Sequence, residues 1–221
     1  KKGRTKLIVC DPRSIELNDY ADIKVRHRSG SDVALLNGLM NIIIAEGLHD
    51  KEFIDKNVEK FDELKALVAE YTPAKVSAIT GVPEDTLKEA ARLYARGPNS
   101  AIFYTMGITQ HQYGTNNVKT VADLALLCGM LGRPGTGVNP SRGQNIVHGA
   151  CDMGCQPASL PGYLDIAKNT EKAAEKVRQI WKAELPTSPG RTIVKVTDGL
   201  AKGEVKGLFI MGENPMVSDP N

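Results

Sequence analysis

The chain carries almost no surplus charge: across 221 residues, 28 Lys and Arg stand against 26 Asp and Glu, leaving +2. That balance leaves no electrostatic footprint for nucleic acid, and no block of like charge marks a membrane surface or a solvated tail. Long apolar runs are missing as well, none approaching the roughly 18 residues that a membrane span requires. The short basic start Lys1–Arg4 leads directly into a strand, so no targeting segment is expected. Cysteine is sparse, with Cys10, Cys128, Cys151 and Cys155 only. This is too few for a disulfide framework and favours a reducing compartment, hence the cytoplasm. Cys151 and Cys155 have C-x3-C spacing, which fits neither a zinc knuckle nor the usual iron–sulfur run, and no metal is expected on these thiols. Cys10 and Cys128 are expected as inert core thiols. No G-x-G-x-x-G follows the first strand and no G-x-x-x-x-G-K-[ST] occurs, which argues against an ordinary NAD-binding unit and a P-loop. The four histidines show no metal-ligand spacing; His27 and His49 are expected at the surface, His111 and His148 in candidate site loops.

What is present suffices for a core, since 41% of residues are apolar. Short apolar runs alternate with longer helical stretches, the pattern of an α/β fold with a parallel sheet flanked by helices. Leu7–Cys10, Ile23–Arg26, Ser100–Tyr104 and Gly207–Met211 read as strands. Asp32 is expected to cap a helix buried nearly all round, with Val33, Leu36, Met40, Ile43 and Ile44 at helical spacing and Leu35, Leu39 and Ile42 on the other side. Short helices fill 51–79, and Pro83 opens another that ends at Gly97-Pro98. Further helices are expected over about 116–131, 169–183 and 192–202. A composition change places a boundary near residue 145, dividing the chain into 1–145 and 146–221. With a strand in its first ten residues and an unfinished loop at its end, the chain reads as an excised piece of something longer.

Loops at the carboxyl ends of strands are where open α/β sheets gather ligands. Three such loops are expected: Asp11-Pro-Arg13, Thr105–Gly114 and Gly212-Glu-Asn-Pro215. Ser29-Gly-Ser-Asp32 adds a helix start with free N–H groups suited to phosphate. Together they suit a large anionic ligand with polar bases, a nucleotide. Asp11 or Asp32 could accept from ribose hydroxyls or a guanine N–H face while Arg13 offsets phosphates. The most informative stretch is 134–155, where Arg142 stands among Gly135, Gly137, Gly143 and Gly149 with Gln144, Asn145 and His148 beside it and no acid before Asp152. A planar guanidinium on such a loop is shaped to grip a carboxylate or phosphate through two parallel hydrogen bonds.

The run from Gly132 to Gly154 closely resembles the central segment of molybdopterin-dependent formate dehydrogenase catalytic subunits. The similarity extends through Ile8-Val-Cys-Asp-Pro-Arg13, Tyr71-Thr-Pro73, Thr80-Gly-Val82, Met106-Gly-Ile-Thr-Gln110 and Ile210-Met-Gly-Glu-Asn-Pro215. It implies the formate dehydrogenase/DMSO reductase-like fold in truncated form: an incomplete dinucleotide-binding domain over 1–145 and part of a second cofactor domain over 146–221. It also implies two molybdopterin guanine dinucleotides holding molybdenum or tungsten, with Asp11, Arg13, Gly30, Asp32, Met106, Gln110, Gly212, Glu213 and Asn214 as cofactor contacts. Asn214 stands where the family often has Asp, which removes a formal charge. Arg142 takes the place of the substrate arginine holding formate, with Gln144 behind it. The resemblance places the metal-ligating Sec or Cys and the cysteines of a 4Fe-4S cluster upstream of this segment, and implies electron-transfer subunits or an acceptor as partners. The segment alone is accordingly expected to be inactive. The rival readings are a related molybdopterin oxidoreductase with another substrate, and a non-catalytic nucleotide-binding or scaffold module.

Overall fold

A computed structural model describes residues 5–168 and 171–218. The basic start Lys1–Arg4 lies outside the described residues, as does the beginning of the helix expected near 169. The chain divides into two compact units, Lys1–Gly143 and Gln144–Asn221.

The first unit begins with β1 (Ile8–Cys10) and β2 (Ile23–Val25), joined by a short 3-10 turn over Glu16–Tyr20. The two strands pair in parallel, Ile8 opposite Ile23 and Cys10 opposite Val25. Helices α1 (Asp32–Ala45), α2 (Lys51–Asn57), α3 (Phe61–Val68), α4 (Pro73–Thr80) and α5 (Glu84–Arg96) follow. Then come β3 (Ala101–Tyr104), α6 (Met106–Thr109), α7 (Gly114–Leu127) and β4 (Gly137–Pro140). The core is built around α1, which packs against α3, α4, α5 and α7. Leu35, Leu39, Met40, Ile42 and Ile43 are buried there with Val76, Leu87, Leu124 and Leu127. Removing that much aliphatic surface from water, at about 25 cal/mol per Å2, is what holds the unit together.

Sequence signals explain most of the boundaries. Asp50 caps α2, its carboxylate accepting from the Phe53 N–H at 2.9 Å, and Thr72 caps α4 just ahead of Pro73. Gly81 ends α4 in the left-handed region, at φ 77°. One expected cap is displaced: Ser31 occupies the N-cap of α1 and Asp32 is the first helical residue. The Asp32 carboxylate is instead engaged by the His27 ring, 3.1 Å away.

The second unit holds α8 (Val147–Asp152), a hairpin of β5 (Ser159–Leu160) and β6 (Leu164–Asp165), α9 (Glu171–Trp181), α10 (Ile193–Ala201) and α11 (Pro215–Ser218). Leu160, Ala174 and Leu185 form a small core of its own.

Four expectations are corrected. The parallel pairing expected as one sheet occurs as two separate pairs, β1–β2 and β3–β4. Gly207–Met211 forms no strand; Phe209 and Met211 are exposed, and a strand exists only where a neighbour takes up its N–H and C=O groups. Cys10 is exposed, because the period-two alternation of β1 turns Val9 inward and its neighbour outward. His49 is partly buried, its ring 5.5 Å from that of Phe61. Burial first, and Lys51 and Lys65 after it, hold the His49 imidazole below its ordinary pKa. Cys128 is buried as expected, and burial pushes its thiol up to about 12.

Candidate cofactor and anion-binding site

Parallel pairing sets the carboxyl ends of β1 and β2 side by side, so the turns that leave them meet. Arg26 Nε donates to the Pro12 carbonyl at 3.0 Å, stitching the two turns together. In the first turn the Asp11 carboxylate accepts from the Arg13 backbone N–H at 2.8 Å and from Arg13 Nε at 3.3 Å. Burial alone would raise the Asp11 pKa. The two Arg13 bonds, with the positive field of Arg13, outweigh it and leave the carboxyl below the ordinary range. Arg13 keeps its side chain 80% exposed, so most of its fork faces solvent.

The second turn, after β2, alternates between outside and inside. Arg26, Arg28, Ser29 and Gly30 are exposed, whereas His27 is 5% exposed. This overturns the surface placement of His27. The alternation of Ile23, Val25 and His27 along one side of the strand carried the signal, because the period simply continues beyond β2. His27 Nε2 lies 3.1 Å from Asp32 Oδ1, and both side chains are buried, at 4% and 8% exposure. Burial pushes the Asp32 carboxyl up, but the His27 hydrogen bond, its own backbone N–H and the more distant His111 bring it below the ordinary value. Arg28 Nη1 donates to the Ala78 and Ile79 carbonyls at 2.8 and 3.1 Å, which supplies a cation and donors to the end of α4. Gly30 sits at φ 77° with nothing within 4 Å of where a Cβ would stand, so the turn needs glycine and its front is open. Between these turns and the end of α4 lies a cleft of about 470 Å3 lined by Pro12, Arg26, His27, Arg28, Ser29, Thr80 and Gly81.

The other parallel pair builds a second cluster in the same unit. The stretch 134–155, expected as a loop, contains a strand that Gly137 and Pro140 conceal. β4 pairs with β3, Ala101 opposite Gly137 and Tyr104 opposite Pro140. Ser141 N–H then donates to Tyr104 C=O at 2.7 Å, extending the ladder by one bond. Arg142 therefore leaves the carboxyl end of this pair, beside the turn that carries Met106 and Gln110. A Cβ on Gly143 would stand 3.1 Å from Met106 Sδ, so the two turns touch. Arg142, Met106 and Gln110 are all exposed. Among the described residues no carboxylate is paired with Arg142. The guanidinium is solvated, yet it stands where two strand ends converge rather than on a remote connector. His111, which follows Gln110, contributes to the field at Asp32, so this loop and the α1 start share one electrostatic neighbourhood.

The remaining candidates lie in the second unit. Gln144 is exposed at its start, and Gly212, Glu213 and Asn214 are exposed near its end, Gly212 at φ 72°. Ile146 holds φ 56°, a position that a β-branched residue rarely accepts, and no pattern in the sequence announced it.

Cationic and amide-bearing turns at the carboxyl ends of parallel strands have the chemistry that suits a large anionic ligand. The chain belongs to the molybdopterin oxidoreductase family, whose model matches residues 1–221. It is 43% identical over 220 residues to a formate dehydrogenase alpha subunit of Methanococcus maripaludis, covering 99% of this chain and 32% of that subunit. Formate dehydrogenase H of Escherichia coli is likewise 43% identical over 220 residues, with 30% of its length covered. The chain thus spans about a third of the length of these relatives. Among solved structures, acetylene hydratase from Pelobacter acetylenicus superposes with a TM-score of 0.57 at 33% identity, over 59% of this chain and 18% of that one. The α/β class with small parallel sheets agrees with that neighbour, a molybdopterin-family likeness consistent with the DMSO reductase-like fold. No described helix is long and apolar enough to cross a membrane.

Proposed function

We propose that this chain supplies cofactor contacts and the substrate arginine of an enzyme that oxidises formate to carbon dioxide. The cofactor is a pair of molybdopterin guanine dinucleotides with molybdenum or tungsten, which, when bound, accepts two electrons. The residues fit such a group: the cleft beside β1 and β2 is lined by Arg26, His27, Arg28 and Ser29, and a buried ring nitrogen of His27 has no partner. Asp11 and Arg13 with Gly30 and Asp32 hold its nucleotide end, and Met106 and Gln110 contact it from the turn after β3. Gly212, Glu213 and Asn214 are cofactor contacts of the second unit. Asn214 serves through its amide, which both donates and accepts where a carboxylate would only accept.

Arg142 binds the formate carboxylate through a bidentate pair and so fixes the direction of its C–H bond, with Gln144 as a supporting residue. The observation that carries this reading is a guanidinium without a carboxylate partner at the end of β4, beside Met106. An arginine meant for an anionic substrate must not be neutralised beforehand.

Upstream sequence would supply the Sec or Cys ligand of the metal and a 4Fe-4S cluster, and electron-transfer subunits or an acceptor would complete a cytoplasmic enzyme. The 221-residue chain alone is expected to show no formate turnover. Arg142→Ala in the longer protein should abolish formate turnover, a loss of at least 100-fold for a lost bidentate contact of about 3 kcal/mol, while metal content measured by mass spectrometry stays level. Unchanged turnover would remove formate from the reading. It would instead favour a relative with another substrate, for which the likeness to acetylene hydratase is the specific observation. Loss of both metal and turnover would assign Arg142 to cofactor retention.

A further inference from the structure

We infer that His27 is the positioning residue of the nucleotide end: its imidazole N–H holds Asp32 and thereby fixes the turn 26–31 that faces the cleft. The inference rests on the cofactor reading above. A carboxylate can only accept, so the 3.1 Å contact to Asp32 Oδ1 requires the proton of the ring on His27 Nε2. Nδ1 is then the remaining ring nitrogen, buried and without a hydrogen-bond partner. Moving the proton to Nδ1 would leave a buried donor unpaired there, which costs about 1–3 kcal/mol, and would set a bare nitrogen against the carboxylate, so the pair selects the Nε2–H tautomer.

Placement gives the pair its leverage. Of residues 26–30 His27 is the one turned inward, and the side chains around it, Arg26 and Arg28, are tied to the Pro12 carbonyl and to the end of α4. Three anchors of different chemistry thus hold a turn whose only intrinsically flexible residue is Gly30. Ser31 adds a fourth, its hydroxyl donating to the Arg28 carbonyl at 2.6 Å. The His27 anchor reaches Asp32, the first residue of α1, through its buried side chain, and so ties the cleft to the helix around which the core is built. No described side chain other than His27 hydrogen-bonds Asp32, so its carboxylate, 8% exposed and next to cleft-lining His27, keeps acceptor capacity that we assign to a donor of the bound nucleotide. A guanine presents two adjacent N–H groups to such an oxygen, whereas adenine presents a donor beside an acceptor and matches a carboxylate poorly.

The test uses GDP and ADP as probes, titrated calorimetrically into the 221-residue chain. Wild type should prefer GDP. His27→Leu should weaken GDP binding about tenfold and leave ADP binding unchanged, and His27→Gln, whose amide N–H can occupy the place of Nε2–H, should return it to within about threefold. In the Asp32→Asn background, His27→Leu should have no further effect on GDP binding. An NMR spectrum of the 15N-labelled ring should show a protonated Nε2 and a bare Nδ1 in wild type, a signature independent of ligand binding. If wild type does not distinguish GDP from ADP, the cofactor reading of this cleft fails and the inference with it. If wild type prefers GDP and His27→Leu does the same, or if the two substitutions add, His27 is a packing residue and only this inference is overturned. Should His27→Leu fail to fold, His27→Gln and the ring spectrum decide: a protonated Nδ1 would sink the proposal.

Discussion

Gly38 lies on the buried side of α1, where α4 crosses it. A Cβ built there would stand 2.7 and 2.8 Å from the two methyls of Val76, against the roughly 3.5–4.0 Å that carbon atoms prefer. Val76 is fully buried and β-branched within a helix, so it cannot rotate out of the way. Gly38→Ala therefore sets two effects of opposite sign against each other. Helix propensity favours alanine by about 1 kcal/mol, whereas overpacking a filled core costs about 1–3 kcal/mol. The expected net effect is a destabilisation of about 1 kcal/mol, read as a lower urea midpoint with an unchanged slope. The decisive measurement is the same substitution in a Val76→Ala background. There the obstructing methyls are gone and only the residue-76 Cβ, at 3.1 Å, remains close, so Gly38→Ala should stabilise, by up to about 1 kcal/mol, through propensity and cavity filling. A reversal of sign between the two backgrounds supports the geometry. Stabilisation by similar amounts in both would show that α1 and α4 are not in contact at Gly38, and the packing of the first unit would have to be redrawn.

Asp50→Ala removes the carboxylate that caps α2 and should cost about 1 kcal/mol, whereas Asp50→Ser should recover most of it; equal stability of all three would refute the cap. The depressed pKa of Asp32 sets a pH dependence. Because the folded carboxyl titrates below its unfolded value, its contribution is complete above about pH 3.9 and is lost as pH falls through the folded value. Acid unfolding should accordingly be shallower in Asp32→Asn than in wild type below about pH 4, and superimposable curves would remove the His27 bond from the explanation. For Arg142→Lys in the longer protein, formate turnover should fall almost as far as for alanine. A point charge cannot reproduce the planar fork, and full activity with lysine would replace bidentate gripping by simple charge attraction.

How much of this was legible beforehand varied with the range of the interaction. The helices α1, α5 and α7 were readable because their apolar spacing and their stop signals are local, though α7 ends at Leu127, earlier than expected, where Gly129 turns the chain at φ 62°. The cationic and glycine-bearing turns at Asp11–Arg13, Ser29–Asp32 and Arg142 were readable as chemistry from residue type. β4 was not, because a glycine and a proline at its ends mask a strand whose ladder depends on β3, more than thirty residues earlier. Gly207–Met211 erred in the opposite sense: its apolar run has strand character, but no neighbour takes up its backbone groups. His27 was misplaced because a histidine in a charged turn looks solvent-facing until its carboxylate partner on α1 is known.

By itself the sequence determined the α/β class, the family resemblance and the kinds of side chain available to an anionic ligand, because these depend on periodicity and residue chemistry within short windows. The tertiary structure alone decided that β4 exists and delivers Arg142 beside Met106, that Asp32 turns to a buried imidazole instead of capping its helix, and that Cys10 faces outward. Each of these outcomes is a choice between partners. A hydrogen-bonding group takes whichever complement the rest of the chain brings within about 3 Å, and which complement that is depends on residues far away in sequence.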